Sequence, residues 1–175
     1  MTGRWIKDGV FADMTMEIEG RMVSNPTEEQ LRKAGYVPYV PTDAELLAQA
    51  KESKISEIER YDTSDKVNGF KLNGQTFWLD KATRVGLMNS TEITKAAGQE
   101  TTDLWLGEVK LTIDCDKVIR LLGGIEMYAL ECFNVTARHK AEVQKLKTVE
   151  DVEKYDIKEG YPKQLEINLD GLDRQ

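Results

Sequence analysis

The chain has 175 residues, of which 40% are hydrophobic and 31% charged, with a formal net charge of −7 at pH 7. This length fits one ordinary core with a small appendage, but not two large domains. No apolar run reaches the ~18 residues that span a bilayer, and the first residues lack the apolar segment of a secretory signal, so we expect no membrane contact and no export by that route. Basic residues are interleaved with acidic ones and form no stripe, which argues against a nucleic-acid partner.

Residues 1–36 predict a small N-terminal part made of a hairpin and a short helix. Apolar and polar residues alternate over 14–23 around Gly20, a pattern typical of a hairpin with a turn at that glycine. Asn25 precedes Pro26 and two glutamates, which predicts a helix capped by Asn25 with proline in its first position. Gly35 is placed to end this helix.

Residues 37–61 predict a proline-containing connector followed by a helix. Pro38 and Pro41 favour extended backbone, because each proline fixes its own φ and disfavours helix in the residue before it. Thr42 or Asp43 then caps a helix that runs to about Tyr61, with most of its apolar residues on one arc.

Residues 62–175 predict a main α+β domain built from two β-hairpin–helix units, the second ending in a long helix. Asn73-Gly74 between two apolar runs is a strong signal for a tight hairpin turn, and Asp80 then caps a helix over residues 81 to about 88. The pattern recurs over residues 104–113, with a turn near Gly107. Asp114 caps the long helix.

The long helix carries a seam of positions spaced alternately four and three residues apart, which lie along one stripe of an α-helix. Its wide first half, which includes Phe133 on one flank, predicts packing against a sheet. Its narrow second half predicts one partner helix, either residues 44–61 or a symmetry-related copy. Gly123-Gly124 lies off the seam and indicates a close backbone approach or a bend. The seam positions are Val118, Leu122, Ile125, Ala129, Cys132, Thr136, His139, Val143 and Leu146.

The residues most able to do chemistry have simpler structural explanations. His139 and Cys132 are about 10 Å apart along the helix axis, too far to share a zinc ion without distortion. The acids of Asp114-Cys115-Asp116 fit a helix start better than an acid–base pair. Cys115 and Cys132 are too far apart on one helix for a disulfide, so both are expected to be reduced. We therefore predict no catalytic residue, no metal ligand and no cofactor.

The interaction candidates are of two kinds. Of the aromatic residues Phe70, Phe77, Trp78 and Trp105, about two should be in the core, because alternate positions of a hairpin face opposite sides. Any exposed remainder is a candidate contact. The candidate interaction residues are thus Phe77, Trp78 and Trp105 on the hairpins, with Thr136, His139, Val143 and Leu146 in the narrow half of the seam.

Several segments resemble an uncharacterised domain family of bacteriophage and prophage tail proteins from tail-fibre or tail-assembly regions. The resemblance covers roughly residues 51–162, and the opening helix region is similar to the starts of small proteins from such regions. The segments are Val67-Asn68-Gly69-Phe70, Trp78-Leu79-Asp80 with Arg84, Tyr128-Ala129-Leu130-Glu131-Cys132-Phe133 through His139, and Asn25-Pro26-Thr27-Glu28-Glu29-Gln30-Leu31 with Ala34-Gly35-Tyr36.

This resemblance implies a structural or adaptor component of a phage tail that acts by protein–protein interaction. The alternative is a tail-fibre assembly factor that is absent from the finished particle. Either role implies other tail or fibre proteins as partners, a possible homo-oligomer through the long helix, and a location in the virion tail or the cytoplasm of the bacterial host. The resemblance supplies no catalytic residues.

Overall fold

A computed structural model describes residues 4–169 of the chain. Over these residues it has five helices and several small, mostly antiparallel sheets, which confirms the α+β class predicted from the sequence. The chain divides into two compact units, residues 1–46 and residues 47–175. This division falls within a helix, whereas the sequence placed boundaries after residues 36 and 61.

The first unit contains a three-stranded sheet, a separate hairpin and a short helix. Its elements are β1 (Trp5–Lys7), β2 (Val10–Phe11), β3 (Thr15–Ile18), β4 (Arg21–Ser24), α1 (Glu28–Lys33) and β5 (Val37–Pro38). The predicted hairpin is confirmed as β3–β4, with Met16 opposite Val23. Strand β1 pairs antiparallel with both β2 and β5. This sheet was not predicted, because strands of two or three residues are too short to show an alternating pattern.

The cap of α1 corrects the sequence prediction. Thr27, not Asn25, is the N-cap: its hydroxyl accepts from the Gln30 N–H at 3.3 Å, and the Gln30 side chain accepts from the Thr27 N–H at 2.8 Å. This reciprocal pair is a capping box. Asn25 instead adopts a left-handed φ of 51°, and Pro26 precedes the cap. Gly35 follows the helix with φ 84°, as predicted for the residue that ends it.

The second unit begins within helix α2 (Asp43–Asp62) and contains both predicted hairpin–helix units. The further elements are β6 (Phe70–Leu72), β7 (Gln75–Phe77), α3 (Lys81–Ala96), β8 (Thr101–Leu106), β9 (Val109–Asp114), α4 (Cys115–Lys145), α5 (Val149–Lys154) and β10 (Glu166–Ile167). Asn73 and Gly74 both have positive φ, which confirms the tight turn between β6 and β7. The long helix is confirmed as α4.

Two features of the second unit differ from the sequence predictions. Helix α3 continues to Ala96 rather than ending near Met88, and this added part packs into the fold, since Thr91 is buried with its hydroxyl donating to the Leu87 carbonyl at 2.8 Å. The C-terminal segment, for which no strand was predicted, adds strand β10 parallel to β6. The Lys71 N–H donates to the Leu165 carbonyl at 2.8 Å, which fixes this register.

The main core of the second unit lies between the hairpins and the first half of α4. Both hairpin–helix units contribute buried apolar side chains to this core, so the two units form one core. Buried side chains of this cluster are Phe70, Leu72, Leu104, Leu106, Ile113, Val118, Leu121, Leu122 and Ile125.

The caps of α3 and α4 are expected to contribute measurably to stability. The Asp80 carboxylate accepts from the Thr83 N–H at 2.8 Å, and that of Asp114 from the Asp116 N–H at 2.9 Å. Replacing either aspartate by alanine should lower the free energy of unfolding by about 1 kcal/mol in urea titrations at pH 7. Glu108→Ala, at an exposed turn position, is the control and should have no effect. Equal stability of all three variants would contradict this account of the caps.

Candidate interaction surfaces

The narrow half of the seam is occupied by contacts within the second unit. Thr136 is 6% exposed, and its hydroxyl lies 2.6 Å from Asp62 Oδ1 and 2.7 Å from the Tyr161 hydroxyl. One turn earlier, the Cys132 thiol donates to the Val67 carbonyl, and the Tyr128 hydroxyl, a further turn back, donates to the same carbonyl. Polar seam residues therefore hold the loop between α2 and β6 against α4.

His139 uses both of its ring nitrogens inside the chain. The imidazole is 2% exposed, with Nδ1 at 2.7 Å from the Tyr155 hydroxyl and Nε2 donating to the Glu159 carbonyl at 2.9 Å. The Tyr155 hydroxyl in turn donates to the Glu142 carboxylate at 2.5 Å. Burial, together with the Glu142 carboxylate, raises the pKa of Tyr155. The ring is thus part of an internal hydrogen-bond network.

Val143 and Leu146 pack against α2 and the C-terminal segment. Val143 has no exposed surface and belongs to one cluster with Ile58 of α2, Val152 of α5 and Ile157, while Leu146 is partly buried against it. Of the two partner helices considered for this stripe, the structure therefore shows the helix of residues 44–61. Contacts within the chain therefore cover the stripe that, from the sequence alone, could also have bound a symmetry-related copy.

The hairpin aromatics divide as the sequence predicted, with two in the core and two exposed. Phe70 is fully buried, and Phe77 packs against the same core with its ring 6.1 Å from that of Phe70. Trp78 is 57% exposed and Trp105 is 59% exposed. The two tryptophans are therefore the members of this group that are available to a partner.

Trp105 lies on the outer side of the β8–β9 hairpin among ordered polar side chains. Lys110 is directly opposite Trp105, and Asp103 is opposite Thr112. Asp103 accepts a hydrogen bond from the Thr112 hydroxyl at 2.6 Å and pairs with Lys110 Nζ at 2.9 Å. We name Asp103, Trp105, Lys110 and Thr112 the hairpin face. It combines an exposed indole with half-exposed polar side chains that are hydrogen-bonded and ion-paired to one another.

The hydrogen bond and ion pair of Asp103 in the hairpin face can be tested by titrating this carboxylate. The Thr112 hydroxyl, and then Lys110, lower the pKa of Asp103 below its ordinary value of 3.8. Stability from this carboxylate is therefore present above pH 3.8 and is lost as the pH falls through the lowered folded pKa. An NMR titration of the Asp103 carboxyl carbon should show this low midpoint, and Thr112→Val should raise it more than Lys110→Ala. An unchanged midpoint in Thr112→Val would contradict the assignment.

A second exposed surface, which the sequence analysis missed, follows the outer side of α4. Met127, Leu130 and Phe133 are 68%, 57% and 64% exposed, and we name them the outer stripe. The expectation that Phe133 broadens the buried seam is wrong, because the sheet and α3 cover other sides of the helix. The residues of the outer stripe are three positions apart, and this spacing was the sequence signal that could have identified the surface.

The glycine pair near the outer stripe is not required by packing against any described part of the chain. A Cβ atom added at Gly123 or Gly124 would meet nothing within 4 Å, so the close approach expected from the sequence does not occur inside the described residues. Each glycine costs the helix about 1 kcal/mol relative to alanine. No packing contact within residues 4–169 offsets this cost.

A groove between α3 and α4 runs beside the outer stripe. It contains two cavities of about 270 Å³ and 160 Å³, and Leu130 and Phe133 line the larger one together with Lys81. Both cavities are bordered by Arg84 and Glu126, whose side chains form an ion pair at 2.8 Å. Arg84 also donates to the Leu79 carbonyl at 2.6 Å, so this pair is held in place.

No family model, curated protein or solved structure matches this chain. Among the described residues, no group of three or more histidine, cysteine or acidic side chains is arranged to hold a metal ion. In the same part of the chain, no helix is long and apolar enough to cross a membrane. Cys115 and Cys132 are both buried free thiols, as predicted.

Proposed function

We propose that this protein is a structural or adaptor component of a phage tail that acts by protein–protein interaction. The observation that supports an interaction role is the hairpin face, where Trp105 is 59% exposed on a regular hairpin. The tail assignment rests on the resemblance of the hairpin and α4 segments to tail proteins. Other tail or fibre proteins are the proposed partners, and the virion tail is the proposed location.

The hairpin face has the physical properties of an interaction centre. Tryptophan is enriched among residues whose truncation most weakens interfaces, because a large rigid ring buries much surface at little entropic cost. The hydrogen bond and ion pair of Asp103 hold the neighbouring side chains before a partner arrives, which lowers the ordering cost of binding. Trp78, which follows β7 and is 57% exposed, is the second contact that we propose.

The proposed role can be tested by recovering the chain with purified tail particles. The wild-type chain should be present in particles, and Trp105→Ala should reduce its recovery at least tenfold, since loss of a tryptophan anchor costs about 2 kcal/mol or more. Ile93→Ala is the matched control, because Ile93 is also an exposed apolar residue, 69% accessible, on α3.

Two results would change the proposal. Recovery of Trp105→Ala at the wild-type level would exclude the hairpin face as the contact. A chain that cross-links to a fibre protein in infected cells, yet is absent from finished particles, would favour the alternative role as an assembly factor.

A further inference from the structure

We propose that a second copy of this chain docks on the outer stripe of α4, so that the protein forms a symmetric dimer through the exposed side of this helix. The proposal is independent of the tail assignment. It rests on the exposure of Met127, Leu130 and Phe133, which occupy successive turns of a regular helix. Exposed large apolar residues grouped on one element indicate an interaction surface more strongly than isolated ones do.

The glycine pair supplies an independent observation. Gly123 lies one turn before Met127 on the same side of α4, and a Cβ atom there meets nothing within 4 Å. Alanine would therefore fit the single chain without a clash and would favour the helix. A glycine at such a position allows the backbone of another helix to approach closely.

The outer stripe is complementary to itself. A two-fold interface requires that residue i contact residue j while j contacts i. If two α4 helices cross in opposite directions with Leu130 at the centre, Met127 of each copy faces Phe133 of the other. The same crossing places Gly123 against the exposed Ala137, so small residues face each other at both ends. Large residues then fill the middle of the contact.

The area of the surface fits a weak, specific dimer. The outer stripe and the neighbouring Val85, which is 46% exposed, offer on the order of 500 Å² of apolar surface per copy. Two copies would bury about 1,000 Å² together, which is below the roughly 1,200–2,000 Å² of stable interfaces and in the range of weak, transient ones. We therefore expect a dimer whose population rises with concentration between about 10 µM and 1 mM.

The charges beside the stripe favour a copy of the same chain over a strongly charged partner. In the groove, Arg84 is paired with Glu126, and the larger cavity is bordered by both Lys81 and Asp62. This edge is close to neutral although each chain carries −7. Added salt screens the long-range repulsion between two such chains, so dimerisation should strengthen as ionic strength rises.

Sedimentation equilibrium of the full chain tests the proposal. The wild type should show a monomer–dimer equilibrium that shifts toward dimer in salt, and Leu130→Glu should remain monomeric up to 1 mM. Ile93→Glu, on α3 and outside the stripe, is the matched control and should dimerise like the wild type. Circular dichroism and urea unfolding confirm that each variant is folded.

Gly123→Ala separates a contact role from a structural one. It should raise the urea midpoint of the monomer, since alanine favours the helix, and yet weaken dimerisation at least threefold because the added methyl group takes up space against Ala137 of the other copy. A wild type that stays monomeric at 1 mM, or a dimer that Leu130→Glu leaves intact, would overturn the proposal. Cross-links from the stripe to a different protein, with no self-association, would overturn it as well.

Discussion

Replacing Leu122 by alanine is expected to lower the free energy of unfolding by about 2–5 kcal/mol. The side chain has no exposed surface and packs in the main core with Phe70, Leu104 and Ile125, so truncation removes buried apolar contacts and leaves a cavity. Urea unfolding followed by circular dichroism at 222 nm measures the loss.

Leu130→Ala is the matched control for this prediction. It makes the same chemical change in the same helix, but Leu130 is 57% exposed, so the change should stay within about 0.5 kcal/mol. The comparison should be made at low micromolar protein concentration, where self-association does not contribute. Equal losses of unfolding free energy in the two variants would contradict the assignment of Leu122 to the buried side of α4 and Leu130 to the exposed side.

Replacing His139 by alanine is the second prediction with a large expected effect. The change leaves the Tyr155 hydroxyl and the Glu159 carbonyl without their imidazole partner and opens space in a buried site. The Tyr155 hydroxyl keeps its hydrogen bond to Glu142, so the cost comes from truncating a buried ring and losing its two hydrogen bonds. We expect a total loss of about 2–5 kcal/mol in the same unfolding measurement.

Arg138→Ala provides the comparison for His139. Its guanidinium is half exposed and makes two long contacts, one of 4.0 Å with the Glu142 carboxylate and one of 3.4 Å with the Glu159 carbonyl, so its loss should cost less than about 1 kcal/mol. A His139→Ala variant as stable as Arg138→Ala would show that the imidazole network does not support the fold.

Much of the fold could be predicted because its signals are local. The turn at Asn73-Gly74 depends on the φ angles of those two residues. The caps depend on N–H groups two or three residues beyond Asp80 and Asp114, so neighbouring residues suffice to identify them. The seam of α4 was likewise visible, because periodicity depends on one helix alone. Val118, Leu122, Cys132 and Val143 are all fully buried or nearly so.

The partners of these elements depend on long-range contacts that periodicity does not encode. The seam pattern left two possible partner helices for Val143, and only the packed structure places Ile58 beside it. Strand β10 pairs with β6 across nearly one hundred residues, and its two-residue length gives no pattern.

The candidate surfaces were predicted only in part for a related reason. Trp105 was found because residues alternate along a hairpin. Phe133 was misplaced because apolar atoms make up over half of the accessible surface of folded proteins, so an apolar side chain beside a seam need not be buried.

The division of α4 into a buried seam and an exposed outer stripe can be measured at two adjacent residues. Cys132 has no exposed surface, and burial raises the pKa of its thiol, whereas Phe133 is 64% exposed. The measurement is the rate of thiol alkylation, located by mass spectrometry, in the native wild type and in Phe133→Cys at low micromolar concentration. We predict that the thiol in Phe133→Cys reacts at least 100-fold faster than Cys132, because only exposed thiolates are readily attacked. Equal rates at the two positions would contradict the account.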